Sequence, residues 1–261
     1  MADQLYLSLW FPNFRFEALP TALTAVLRQF ARVTAQPESG SNPKGTAMGR
    51  VTAATVYPIN FTESPTYQRV YVNDSRSVDT SESIIENAVA EATEHLHDDM
   101  AVEFDMRWNL WSPELEATPA RRSPTDEELE AQLEAESEAE LDEESSTSSH
   151  LDPLWKLRPA TVRILGFGPE FDDAGFEQNG HIRVDFGLDT PWVMDDLALE
   201  DSLEDEDLRA LAQKRIQQNI ELLLAFTLSV EKNCGISSRL LWTESGEPLA
   251  EKLIARLQRL N

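Results

Sequence analysis

Cysteine is almost absent from this sequence, and its scarcity excludes two classes of protein. Cys234 is the single cysteine among 261 residues, so the chain can form neither an internal disulfide framework nor a zinc site built from cysteines. Long apolar runs are also missing, because no stretch of roughly 18 apolar residues is present to cross a bilayer as a helix. The first residues lack the basic start and apolar core of a signal peptide. We therefore expect a cytoplasmic protein with no membrane association.

Glycine is scarce as well, with 10 residues, and glycine-rich phosphate-binding motifs are missing. The run 166–169 (Gly-Phe-Gly-Pro) lacks the third glycine of a dinucleotide-binding fingerprint, and its proline removes an amide donor. Neither a phosphate-binding loop nor a Gly-x-Ser-x-Gly nucleophile turn occurs. The sequence therefore predicts no cofactor and favours a non-enzymatic protein over an enzyme.

Acidic residues, by contrast, are abundant and concentrated. The chain has 47 acidic and 22 basic residues and a formal net charge of −25, which argues against a nucleic-acid partner because phosphate backbones are bound mainly by cations. From Glu114 to Asp152 there are 14 acidic residues against two arginines, a net charge of −12. Few large apolar residues occur there, so this segment is predicted to be a disordered linker. The alternative is a segment that attracts a basic partner.

Apolar periodicity before this segment predicts six elements in the order βαββαβ. The strands are expected over 5–11, 51–57, 67–72 and 101–111, and the helices from near Pro20 and from Ser81 to about His97. This order is that of the split-βαβ, ferredoxin-like arrangement, with an antiparallel sheet and both helices on one face.

After the acidic segment the pattern predicts the order ββαβα. Strands are expected over 161–167, 181–187 and 239–243, a long helix over 203–233, and a terminal helix over 245–261. We therefore predict an α+β protein in three parts, with one sheet shared by both halves as an open alternative. The parts are a ferredoxin-like module (1–113), an acidic disordered linker (114–152) and a second α+β half (153–261).

Polar residues at alternate positions of the predicted strands form the main candidate site. Val102, Phe104 and Met106 alternate with polar residues on the other face of their strand. If strands of both halves share a sheet, the polar rows would form a charged platform for an anionic ligand or for acid–base chemistry. The alternative is a solvated face whose ion pairs each contribute less than ~1 kcal/mol. The candidate ligand-binding residues are Arg69, Glu103, Asp105, Arg107, Arg163, His181, Arg183 and Asp185.

Two further features of the sequence bear on possible sites. His95 and His97 lie beside two aspartates, but residues two apart on a helix point about 200° apart, so we predict no metal site there. Trp111, Trp155 and Trp192 fall near strand ends or in loops, where indoles often contact a partner, so they are candidate interaction residues.

These observations favour a cytosolic, non-enzymatic interaction or regulatory protein that engages a basic protein partner. One alternative is an enzyme or small-ligand binder that uses the polar sheet face. Another is a structural subunit of a larger assembly that uses the helix over 203–233.

Overall fold

The fold is known from a computed structural model. The structure describes residues 3–34, 49–59, 61–72, 81–113, 155–171, 179–192 and 206–245. The predicted acidic linker and the predicted terminal helix lie outside the described residues.

Seven strands and three α-helices occur within these ranges. A short 3-10 turn (Phe16–Ala18) precedes the first helix. The predicted elements that fall within these ranges are present, although the second helix ends earlier than expected and the fifth strand begins earlier. In chain order they are β1 (Gln4–Trp10), α1 (Leu19–Thr34), β2 (Val51–Pro58), β3 (Tyr67–Val70), α2 (Ser81–Thr93), β4 (Met100–Pro113), β5 (Trp155–Phe167), β6 (Ile182–Leu188), α3 (Glu206–Asn233) and β7 (Ser238–Thr243).

All seven strands form one antiparallel sheet in the order β3-β2-β4-β5-β6-β1-β7. This confirms an α+β protein, and the strands of the two predicted halves share a single sheet. The ferredoxin-like module predicted over 1–113 is not confirmed, because β1 is separated from β4 by β5 and β6. Both hydrogen-bonding edges of β1 are taken by strands from the C-terminal half, β6 and β7.

A long hairpin joins the two halves of the chain. β4 and β5 pair residue by residue from Ala101 with Phe167 to Pro113 with Trp155. The sheet therefore holds Pro113 and Trp155, the residues that flank positions 114–154, next to each other.

The three helices cover one face of the sheet, with α1 in contact with both α2 and α3. Leu5, Leu7 and Leu9 point from β1 towards this layer and are fully buried. The centre of the core is the ring of Trp108, which lies 5.5 Å from Phe30 on α1. Trp108 also stacks on Phe186 at 5.4 Å and contacts Trp192 at 5.8 Å. Large aromatic side chains thus fill the space between the helices and the sheet.

Polar contacts fix how the helices lie against one another. The buried side chain of Gln29 on α1 accepts hydrogen bonds from Ser229 and Asn233 on α3, at 2.8 and 3.2 Å. Arg28 and Arg32 form exposed ion pairs with acidic residues of α2. Within the described part of the chain, none of the helices is long and apolar enough to cross a bilayer.

Candidate functional site

The sheet face that points away from the helices carries most of the predicted polar residues, and we call it the open face. Asp105, Arg163 and Asp185 are direct cross-strand neighbours on β4, β5 and β6. In the adjacent row, Glu103 lies opposite Leu165, which in turn lies opposite Arg183. Arg107 extends the β4 row on the other side of Asp105. The structure therefore brings together six of the eight candidate ligand-binding residues.

Asp185 is the carboxylate on this face with the most polar contacts. Its Oδ1 accepts hydrogen bonds from the Gln4 side chain at 2.7 Å and from the backbone N–H of Gly187 at 2.9 Å. The guanidinium of Arg163 lies 3.7 Å from Oδ2. Because charge-assisted hydrogen bonds stabilise a buried carboxylate, Asp185 has a structural role that links three strands.

Glu103 and Asp105 lie in a different environment. Burial raises the pKa of both carboxyl groups, and the neighbouring Asp105 charge raises the pKa of Glu103 further, while Arg163 acts in the opposite direction. Oδ1 of Asp105 is buried and has no hydrogen-bond partner in the described ranges. A buried acceptor without a donor costs about 1–3 kcal/mol. We call Glu103 and Asp105 the carboxylate pair.

Aromatic rings also lie on the open face, around Arg183. The guanidinium of Arg183 lies 5.2 Å from the ring centre of Tyr6 and 5.1 Å from that of Phe167. Tyr6 contacts Trp242 at 4.6 Å, and the Trp242 indole donates a hydrogen bond to Ser8 at 3.0 Å. Sequence reasoning missed these residues, although Tyr6 and Ser8 alternate with the buried leucines of β1.

A second aromatic group lies at the other end of the same rows, and we call Tyr57, Phe61, Phe167 and Phe171 the aromatic corner. The ring of Phe61 lies 5.1 Å from Tyr57 and 5.0 Å from Phe171. Phe167 and Phe171 are buried in a small apolar cluster separate from the main core. The Tyr57 hydroxyl donates a long hydrogen bond, 3.5 Å, to Oε1 of Glu103. The aromatic corner therefore adjoins the carboxylate pair.

Two predicted residues do not join the platform. Arg69 lies opposite Ala54, whose side chain faces the helices, and Arg69 forms an ion pair with Glu91 of α2. Arg69 therefore lies on the helix-covered side of the edge strand β3.

His181 also has a structural position, just before β6. Its Nδ1 accepts a hydrogen bond from the backbone N–H of Phe11 at 2.9 Å, and its ring stacks on Phe14 at 4.0 Å. Burial lowers the pKa of His181, so the neutral form that accepts this hydrogen bond is favoured.

The three tryptophans predicted as partner contacts are largely covered by the fold. Trp192 is fully buried, and its indole donates to the backbone oxygen of Asn219 at 3.2 Å. Trp155 is also buried. Trp111 is half-buried, and the guanidinium of Arg215 lies 3.5 Å from its ring centre. Trp155 and Trp192 thus contribute to packing, and one face of the Trp111 ring already carries a cation.

Two other features of the structure bear on chemistry. Among the described residues, no group of three histidine, cysteine or acidic side chains could hold a metal ion. A cavity of about 340 Å³ lies beside the turn between β1 and α1, lined partly by Phe14, Arg15 and Cys234. Burial raises the pKa of Cys234 to about 11, so its thiol is protonated at neutral pH and is a poor nucleophile.

The open face thus has three chemically distinct zones: the Asp185 network, the carboxylate pair and the aromatic corner. The carboxylate pair is the zone whose polar groups are least satisfied by the fold. No protein-family model, curated protein or solved structure matches this chain.

Proposed function

We propose that this protein is a non-enzymatic interaction protein whose open face binds a basic segment of a partner protein. One observation carries the proposal: the carboxylate pair is held in a partly buried setting that raises both pKa values, and Oδ1 of Asp105 has no donor within the described ranges. A guanidinium or ammonium group would supply N–H donors and an opposite charge to both carboxylates. Binding would thereby offset a cost that the fold bears when unbound.

The arginines of the open face favour the same conclusion. Arg163 lies beside Asp185, and Arg183 lies between two aromatic rings. Arg163 and Arg107 lower the pKa of Asp105, but burial outweighs them and the pKa stays raised, so the arginines compensate the carboxylate pair only in part. A cation from another molecule would complete the compensation.

The acidic segment of the sequence fits this proposal in a separate role. Residues 114–152 have a net charge of −12, and they are attached where β4 ends and β5 begins. Charge of one sign near a binding surface raises the rate of encounter with an oppositely charged partner and acts less on the bound state. We expect this segment to attract the partner electrostatically. The carboxylate pair then holds the partner once it is bound.

The test uses the full-length chain and a basic probe peptide, Ac-Gly-Arg-Gly-Arg-Gly-NH2, followed by NMR at moderate salt. We expect chemical shifts to change around β4 and the double variant E103Q/D105N to bind about tenfold more weakly, because a charge-assisted contact is lost. The matched control is E17Q/E94Q, which removes the same charge from two exposed positions in the helix layer. Equal binding by E103Q/D105N and wild type would rule out the open face as the site.

A second experiment separates electrostatic attraction by the acidic segment from binding at the carboxylate pair. Replacing residues 114–150 with a short Gly-Ser turn should lower the association rate of the peptide and weaken the dependence of that rate on salt. The dissociation rate should stay the same. A change confined to the dissociation rate would mean that the segment is part of the bound surface rather than an electrostatic guide.

A further inference from the structure

Ile59, which directly follows β2, has an unusual backbone conformation. Its φ is 61°, in the left-handed region that β-branched residues rarely adopt. Its side chain is 48% exposed, so burial of that side chain does little to offset the strain. The backbone N–H of Ile59 donates to the carbonyl oxygen of Asp99, which holds the turn against the start of β4. Strained residues that a fold maintains in this way occur preferentially at functional sites.

A second large apolar side chain is presented close by in sequence. Phe61 is 46% exposed, although one side of its ring packs on Tyr57 and Phe171. Exposed apolar residues are common singly. Two of them just after one strand, where the aromatic corner lies, favour a contact surface.

This apolar surface adjoins the carboxylate pair through one residue. The ring of Tyr57 lies 5.1 Å from that of Phe61, and the Tyr57 hydroxyl lies 3.5 Å from Oε1 of Glu103. A ligand that reaches Glu103 with a cation can therefore contact Phe61 across the width of a single tyrosine.

We infer that the partner segment carries an apolar side chain two residues from its basic one, and that Ile59 and Phe61 receive it. This inference rests on the proposed function, and it adds an apolar contact to the charged contact made by the carboxylate pair. In an extended segment, alternate side chains face the same way about 7 Å apart. The basic side chain then contacts the carboxylate pair, and the apolar side chain buries the exposed surface of Ile59 and Phe61. Apolar anchors of this kind supply much of the binding energy at interfaces.

The test compares two peptides, Ac-Gly-Arg-Gly-Leu-Gly-NH2 and Ac-Gly-Arg-Gly-Ser-Gly-NH2, titrated by NMR into the full-length chain. We expect the leucine peptide to bind wild type about fivefold more tightly, since an apolar side chain is removed from water. In I59N this preference should fall, and in I59N/F61N it should disappear. Asparagine is chosen because it tolerates the left-handed conformation, so the melting temperature of I59N should equal or exceed that of wild type.

The matched control is L228N, which makes the same kind of change at a leucine of α3 that is 56% exposed. This variant should keep the full preference for leucine. Equal binding of the two peptides by wild type, or an undiminished preference in I59N, would overturn the inference. The proposed function would survive either result as long as E103Q/D105N still weakens both peptides. If E103Q/D105N weakens neither, the proposed function itself is wrong.

Discussion

The side chain of Asn219, on α3, holds the backbone of Trp111, on β4, by two hydrogen bonds. Its Oδ1 accepts from the Trp111 N–H at 2.9 Å, and its Nδ2 donates to the Trp111 carbonyl at 2.9 Å. The same Nδ2 also donates to the carbonyl of Pro191 at 2.9 Å. Asn219 is 2% exposed. Its buried side-chain amide therefore satisfies two backbone groups of β4 and one backbone group in the loop after β6.

Replacing this amide should therefore be costly. N219A removes the hydrogen-bond partner of three partly buried backbone groups, the N–H and C=O of Trp111 and the C=O of Pro191. Since each unsatisfied buried group costs about 1–3 kcal/mol and part of the cost is relieved by relaxation, we expect the free energy of unfolding to fall by about 3 kcal/mol. Urea unfolding followed by tryptophan fluorescence measures this change.

An asparagine near the end of the same helix provides the comparison. Asn233 also bonds through its side chain, to Gln29 and Ser229, but it is exposed. N233A should lower the free energy of unfolding by less than about 1 kcal/mol. Equal losses for the two variants would show that the contact with Trp111 is not a principal tie between α3 and the sheet.

Gly168 follows β5 where two backbones approach closely. A Cβ added there would overlap the carbonyl group of Asp98 and lie 2.7 Å from the carbonyl oxygen of Met100. We expect G168A to destabilise the fold by about 3 kcal/mol or more, because backbone must move. In G166A the new methyl would meet only the flexible ends of Leu19 and Leu23, at 2.9 and 3.0 Å, so a smaller loss is expected. Thermal unfolding of both variants ranks them, and the reverse order would contradict the packing described here.

His181 should make stability depend on pH below neutrality. Burial lowers the pKa of the folded imidazole below the value of about 6.5 that is usual for histidine, so the unfolded chain binds a proton more readily. The contribution of neutral His181 to stability is then fully present above about pH 6.5 and is lost as pH falls through the lower folded pKa. Protonation also removes the acceptor for the Phe11 N–H. Urea unfolding between pH 7.5 and 5 should show the loss.

The variant H181N isolates this effect. Asparagine retains an acceptor for the Phe11 N–H and does not titrate, so H181N should be less stable overall, having lost the stack on Phe14, yet show a flatter pH dependence. The control H97Q removes an exposed histidine and should keep the wild-type slope. A slope unchanged by H181N would assign the pH dependence to other groups.

Features that depend on neighbouring residues could be predicted from the sequence, whereas features that depend on residues far apart in the chain could not. Alternation along a strand is local, so Glu103 and Asp105 were correctly predicted to share a face opposite Phe104. Strand neighbours depend on pairing across long separations, and β1 therefore could not be assigned to a position between β6 and β7. The same limit hid the aromatic corner, whose rings come from residues 57, 61, 167 and 171.

Arg69 and Trp192 show two other reasons for error. β3 is a short edge strand with polar residues on both faces, so its composition did not identify the face that meets α2, and Arg69 was expected on the open face. Trp192 lies in a loop, and loop residues are usually expected to be accessible. In the fold, however, its large side chain fills space between α3 and the sheet. Its polar partner, Asn219, is 27 residues away.

Cys234 should react slowly with alkylating reagents in the folded protein. Burial raises the pKa of its thiol to about 11, whereas an unperturbed cysteine has a pKa near 8.5, so at pH 8 the thiolate fraction falls on the order of 100-fold. Iodoacetamide labelling followed by mass spectrometry measures the rate, and concentrated urea should restore normal reactivity. Fast labelling of the native protein would mean that the thiol is more accessible than its surroundings indicate.

The carboxylate pair gives a stability test that is independent of any ligand. The pKa of Asp105 is raised in the folded state, so the native protein binds a proton more readily than the unfolded chain, and ionisation weakens the fold as pH rises through the folded pKa. At pH 7 this cost is fully present, and D105N, which cannot ionise, should be at least as stable as wild type. At pH 3, below the unfolded pKa of about 3.9, the advantage of D105N should shrink because wild-type Asp105 is then largely protonated. Urea unfolding at the two pH values measures the difference. If D105N is instead less stable than wild type at pH 7 and this deficit narrows at pH 3, the ionised carboxylate stabilises the fold, and the position of Asp105 reflects structure rather than binding.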